Sequence, residues 1–67
     1  MQWMDIVPYD EAVRLVSTYG DNGRAYLDKL SAAACQSRAH GAWLCNDRDS
    51  YVAHRSAAFH KRQAAAQ

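Results

Sequence analysis

The chain has 67 residues and a net charge of +1, and 49% of its residues are hydrophobic, but alanine supplies 13 of these and Val, Ile and Leu together only nine. So short a chain forms one domain, residues 1–67, and its few large apolar side chains leave too little core to enclose a cofactor cleft. We therefore expect neither enzymatic activity nor a cofactor. The net charge by itself selects no class of partner.

The first predicted elements are an N-terminal arm and a helix. Residues 3–7 are apolar apart from Asp5, and they predict an extended arm that packs across the helices. Pro8 suits the first turn of a helix, where its missing N–H would be unpaired anyway. Apolar residues then recur at steps of three and four. This spacing predicts a first helix over residues 8–19, with Gly20 just beyond its end.

A second predicted helix follows a short turn. Asp21 or Asn22 is suited to cap it, because both side chains accept hydrogen bonds from backbone N–H groups. A further stripe at helical spacing predicts a helix over residues 22–40, and Gly41 is expected to end it.

The last part of the chain predicts a connection and a third helix. Residues 41–46 form the connection, in which Trp43 and Leu44 are expected to cover one end of the core. Asn46, Asp47 and Asp49 are candidate caps for a helix over residues 47–63. The sequence therefore predicts an all-α, small three-helix domain with an extended apolar N-terminal arm, in which most aromatic rings lie in the core.

The third predicted helix carries an unusual basic stripe. Arg48, Arg55 and Arg62 are seven residues apart, so they fall within about 40° of one another on a helical wheel. Apolar residues flank the stripe on both sides, which places three cations in the middle of the apolar arc. His54 and Lys61 are expected to extend the basic surface. The candidate partner-binding residues are Arg48, Tyr51, Arg55, Phe59, Lys61 and Arg62.

Three interpretations of this stripe remain open. In the first, the arginine stems lie along the core edge and their guanidinium groups pair with Asp5, Asp10, Glu11 or Asp28. In the second, the face docks on a partner protein with an acidic surface, since arginine and aromatic residues are common anchors of interfaces. In the third, the helix lies on nucleic acid, although the sequence pI of 7.8 is low for that function.

The cysteines and histidines do not predict a metal site. Cys35, His40, Cys45 and His54 follow the pattern C-x4-H-x4-C-x8-H, whereas structural zinc sites favour ligand pairs two to four residues apart. No secretory signal or membrane-spanning segment is visible, so we expect a cytoplasmic protein with reduced cysteines and no membrane partner. No phosphate-binding loop or nucleophile–base pair is present either.

The leading functional hypothesis is a small non-enzymatic helical interaction protein that binds a larger macromolecular partner and modulates or inhibits it. Accessory proteins of phages and mobile elements are one source of such chains. The alternative is a small nucleic-acid-binding regulator that uses the basic third helix. A third option is a homo-oligomer, because residues 1–23 carry a net charge of −3 while residues 24–45 and 46–67 carry +2 each.

Overall fold

The computed structural model describes residues 5–18 and 22–66, and these residues form four α-helices and no strand. The helices are α1 (Tyr9–Ser17), α2 (Gly23–Lys29), α3 (Ala32–Leu44) and α4 (Arg48–Ala66). The all-α prediction is confirmed, but the described residues contain one helix more than predicted. The predictions for Trp3, Tyr19, Gly20 and Asp21 lie outside the described residues.

The extra helix arises because the second predicted helix is divided at Leu30 and Ser31. Leu30 has an extended backbone, with φ −86° and ψ 139°, and its side chain packs against the core. The Ser31 hydroxyl then accepts a hydrogen bond of 3.1 Å from the N–H of Ala34 and caps α3. Serine is a strong N-cap because it satisfies a backbone donor at the start of a helix. Asn22 caps α2 in the same way, as predicted.

Helix α3 ends at Leu44, so the prediction that Gly41 ends the helix is wrong. Asn46 adopts a left-handed backbone with φ 59°. Its N–H donates to the Trp43 carbonyl at 3.1 Å, and the N–H of Asp47 donates to the Ala42 carbonyl at 2.8 Å. These two bonds form a Schellman motif, in which asparagine takes the place of the usual glycine.

Asp47 begins the next helix, as one of the predicted caps, by accepting a hydrogen bond of 3.2 Å from the N–H of Ser50. The turn between α3 and α4 is therefore three residues long, and the two helices pack against each other. Trp43 and Leu44 fall in the last turn of α3, where they are 50% and 72% exposed. The expectation that they cover the core is wrong.

The core consists mainly of small side chains. Its buried cluster comprises Ala12, Val16, Leu27, Cys35, Ala53, Ala57 and Ala58. Small residues let helices approach closely, and α4 uses them to pack against both α1 and α3. None of the five aromatic rings of the described residues is fully buried. Tyr9 and Tyr26 pack against this cluster partly buried, whereas Trp43 and Phe59 are exposed. The prediction that most rings lie in the core also includes Trp3 and Tyr19, which lie outside the described residues.

Residues 5–8 are not helical and lie against α4 through two hydrogen bonds to Val7. The Val7 N–H donates to Ser56 Oγ at 3.0 Å, and His60 Nε2 donates to the Val7 carbonyl at 2.8 Å. Ser56 and His60 are one helical turn apart on α4, so their side chains bond both the backbone N–H and the backbone carbonyl of Val7. None of the helices in the described part of the chain combines the length and apolarity needed to cross a membrane.

Candidate functional site

The arginine stripe of α4 lies on the side of the helix that faces away from the core. The core-facing residues of α4 are Val52, Ala53, His54, Ser56, Ala57 and Ala58. They cover a wide arc because α4 has a neighbouring helix on each side. Arg48 and Arg55 are half-buried and Arg62 is exposed. The stripe therefore lies outside the core-facing arc of α4, which consists mainly of alanine and serine.

A shallow depression of about 120 Å³ lies on this outward face. It is lined by Ile6 of the N-terminal segment, Gln36 of α3, and Arg55, Phe59 and Arg62 of α4. Ile6 and Phe59 are both among the exposed large hydrophobic residues. The hydrogen bonds of Val7 to α4 hold Ile6 at this position, so the arm supplies one wall of the depression.

A second depression, of about 300 Å³, adjoins the first through Gln36. Its other lining residues are His40 and Trp43 of α3 and Tyr51 of α4. The ring centroids of Trp43 and Tyr51 lie 5.1 Å apart with an interplanar angle of 53°, a tilted aromatic contact between α3 and α4. We call the two depressions together the α4 groove. Of the predicted site residues, Tyr51, Arg55, Phe59 and Arg62 line it.

Arg48 and Lys61 do not line the α4 groove. Arg48 lies in the first turn of α4 and donates to the carboxylate of its neighbour Asp49 at 3.1 Å. Lys61 points to the other side of the helix, where its Nζ is 5.7 Å from the ring centroid of Tyr9. The expectation that Lys61 continues the surface of the arginine stripe is therefore wrong, because six residues of a helix turn it away from Arg55.

Tyr9 is the centre of a separate polar cluster between α1, α2 and α4. The Arg24 guanidinium lies 5.8 Å from the Tyr9 ring centroid, so cations of two helices contact the ring. The Tyr9 hydroxyl donates to Asp28 at 2.7 Å. Burial, together with this hydrogen bond and the nearby carboxylate charge, raises the pKa of Tyr9 to about 12. The phenol therefore stays protonated, and its hydrogen bond to Asp28 connects the start of α1 to α2.

His54 is buried, with 3% of its surface exposed, so the expectation that it extends the basic surface is wrong. The Tyr26 hydroxyl donates to His54 Nε2 at 2.8 Å, and Nδ1 donates to the Ser50 carbonyl at 2.7 Å. The Ser50 carbonyl can only accept, so Nδ1 carries a proton, and in the neutral imidazole Nε2 is the acceptor for the Tyr26 hydroxyl. Burial lowers the pKa of His54, which favours the same neutral form. The histidine joins α2 to α4.

Three of the four acidic residues proposed as partners of the arginine stripe, namely Asp10, Glu11 and Asp28, bond to groups on α1 and α2. Asp10 pairs with Arg24 at 2.5 Å, Glu11 pairs with Arg14, and Asp28 accepts from the Tyr9 hydroxyl. Asp10 and Asp28 each link α1 to α2, while the Glu11–Arg14 pair lies within α1. Arg55 and Arg62 of the outward face of α4 line the α4 groove.

The cysteines are both free thiols in different surroundings. Cys35 is fully buried in the core, and burial raises the pKa of its thiol, so it is a poor nucleophile. Cys45 is exposed in the turn before α4. Within residues 5–18 and 22–66, no three His, Cys, Asp or Glu side chains converge on a position that could hold a metal ion.

Sequence analysis missed the groove residues that come from other elements, namely Ile6, Gln36, His40 and Trp43. A helical wheel of α4 cannot show them, because they meet α4 only through tertiary packing. One sequence signal for this packing was Asn46-Asp47. Asparagine tolerates the left-handed backbone that ends a helix, and aspartate is a good N-cap for the next helix, so the pair favours a tight turn that brings the end of α3 beside Tyr51.

The groove combines the arginine side chains of Arg55 and Arg62 with aromatic side chains at an open surface. Such a surface can bind carboxylates and apolar side chains together, but it does not enclose a reacting group away from water. No family model, curated protein or solved structure matches this chain. The function is therefore inferred from the geometry of the chain alone.

Proposed function

We propose that the chain is a small non-enzymatic helical interaction protein that binds a larger partner protein through the α4 groove and modulates or inhibits it. The observation that carries this proposal is the concentration of exposed apolar residues at one place. Three of the four exposed large hydrophobic residues in the described part of the chain line the groove, namely Ile6, Trp43 and Phe59, and Leu44 does not. Exposed apolar residues that form one patch are typical of interaction sites, whereas scattered ones are not.

The charge of the groove favours a partner with an acidic surface. Arg55 and Arg62 border the depression that contains Phe59 and Ile6. Arginine beside aromatic residues is the composition of many interface hot spots, because the planar guanidinium binds carboxylates while its stem covers apolar surface. A nucleic-acid partner is the alternative, but three apolar side chains in the groove suit a protein surface better than a phosphate backbone.

The test is a binding measurement with two groove variants and one matched control. The tagged chain is used to capture partners from a nuclease-treated extract of its native host, and the captured protein is purified. Arg55→Glu and Arg62→Glu each reverse one charge at the groove. Lys29→Glu makes the same change at an exposed position of α2, a helix that contributes no residue to the lining of the groove. Arg62 is exposed, so its variant should fold within about 0.5 kcal/mol of the wild type.

We expect each groove variant to weaken binding of the captured protein by about 2 kcal/mol, roughly thirtyfold in Kd, while Lys29→Glu stays within twofold. Isothermal titration calorimetry measures the affinities. The proposal is refuted when Arg62→Glu binds the protein as well as the wild type does. It is also refuted when only nucleic acid is retained from an untreated extract, with an affinity that falls steeply with salt and a slope that Arg62→Glu flattens.

A further inference from the structure

The length of the α4 groove sets the size of its occupant. The groove extends along α4 from Tyr51 to Arg62. At 1.5 Å per residue these 11 steps span about 16 Å, which equals three turns of a second α-helix. The volumes of about 120 and 300 Å³ are those of side-chain pockets, so the groove receives side chains of an element that lies across it.

The backbone chemistry of the groove walls favours a helical occupant. The central backbone groups of α3 and α4 are bonded within the helices, and both polar groups of Val7 are bonded to α4. An extended peptide seated here would find few donors and acceptors for its own backbone, which costs free energy when water is excluded. A helix satisfies its backbone internally and offers only side chains, as in other helix-in-groove complexes.

The two ends of the groove differ in chemistry. The wider depression has Trp43 and Tyr51 as aromatic walls, and it suits one large apolar side chain. The narrower depression has Arg55 and Arg62 at its border, and it suits a carboxylate. The centres of these residue sets lie about seven residues apart along α4, or about 10 Å. On a helical occupant this distance corresponds to positions i and i+7.

We propose that the α4 groove receives an acidic amphipathic α-helix of the partner protein, which places a large apolar side chain against Trp43 and Tyr51 and a carboxylate two turns away between Arg55 and Arg62. This inference rests on the proposed function and specifies the partner. Charge complementarity supports it, since the residues that line the groove include two arginines, Arg55 and Arg62, and no acidic side chain.

The test selects binders from a displayed library of random 16-residue peptides, with the full chain as the target. Enriched peptides are synthesised, and their affinities are measured by fluorescence anisotropy for the wild type, Arg62→Glu, Trp43→Ala and Lys29→Glu. We expect Asp or Glu seven residues from Leu, Phe or Trp, and a gain of helical circular dichroism in the complex. Arg62→Glu and Trp43→Ala should each weaken binding at least tenfold, and Lys29→Glu less than twofold.

Three outcomes overturn the inference: no peptide is enriched, the enriched peptides are basic or bind without becoming helical, or Arg62→Glu leaves their affinity unchanged. A dimer of the chain that the peptides dissociate would assign the groove to a second copy and overturn it too. These failures are separable from failure of the proposed function. If Arg62→Glu abolishes capture of the host protein but the selected peptides are not acidic helices, the proposed function stands. In that case the proposal that an acidic helix occupies the groove is refuted.

Discussion

Gly23 and Gly41 should respond in opposite directions to the same substitution by alanine. Gly23 begins α2 beside α1, where an added Cβ would lie 2.4 Å from both the Val13 carbonyl oxygen and Ser17 Oγ. The carbonyl is backbone of α1 and cannot rotate away. Gly41 lies inside α3, and an added Cβ there would meet no atom within 4 Å.

The expected magnitudes follow from these distances. A carbon–oxygen contact needs more than 3 Å, so Gly23→Ala must displace α2 from α1, and overpacking of this kind costs about 1–3 kcal/mol. Gly41→Ala removes backbone entropy from the unfolded chain at an unstrained helical position, which stabilises the fold by about 0.5–1 kcal/mol. In a domain of this size, 1 kcal/mol shifts the melting temperature by roughly 4–8 °C.

The assay is urea denaturation of both variants and the wild type, followed by circular dichroism at 222 nm. Gly23→Ala should lower the free energy of unfolding, and Gly41→Ala should raise it. Destabilisation by Gly41→Ala would refute the continuous helix α3 and would instead support a helix that ends at this glycine. A neutral or stabilising effect of Gly23→Ala would refute the close approach of α1 and α2.

Two further predictions concern the interior. Because burial places the pKa of His54 in the folded state below its ordinary value of 6.5, the unfolded chain binds the proton first as the pH falls. The contribution of His54 to stability is therefore fully present above about pH 6.5 and decreases as the pH falls below it. Between pH 7 and pH 5, the free energy of unfolding should decrease more steeply for the wild type than for His54→Gln, as measured by urea denaturation. Leu27 has no exposed surface, so Leu27→Ala should lower the free energy of unfolding by about 2–5 kcal/mol in the same urea titration. A decrease of less than about 1 kcal/mol would contradict the position of Leu27 in the core.

Local signals in the sequence were sufficient for the helical class and for several helix starts. Asn22 and Asp47 cap α2 and α4 as their side-chain chemistry predicts. The same local reasoning failed at Ser31 and Gly41. The alanine-rich run after Ser31 suggested one continuous helix, but Ser31 is the N-cap of a new helix, α3. Gly41 was expected to end a helix, but it lies within α3. Local propensities of a few tenths of a kcal/mol are readily outweighed by packing.

The candidate site shows the same division between local and tertiary information. The sequence alone determined that Arg55, Phe59 and Arg62 share one face of a helix, because the period of the helix fixes which side chains are neighbours. It could not determine which face looks outward. That choice depended on α4 packing between α1 and α3 through its small residues, which turned the arginines away from the core.

Tertiary structure also decided what surrounds those arginines. Ile6 and Trp43 are 49 and 12 residues from Arg55 in the sequence, and they reach the groove only because Val7 bonds to α4 and the Asn46 turn folds α3 beside it. The helical period is a local property, because the spacing of residues within one segment is sufficient to show which side chains share a face. The pairing of distant segments depends on the total surface they bury together, so it exists only once the whole chain has folded.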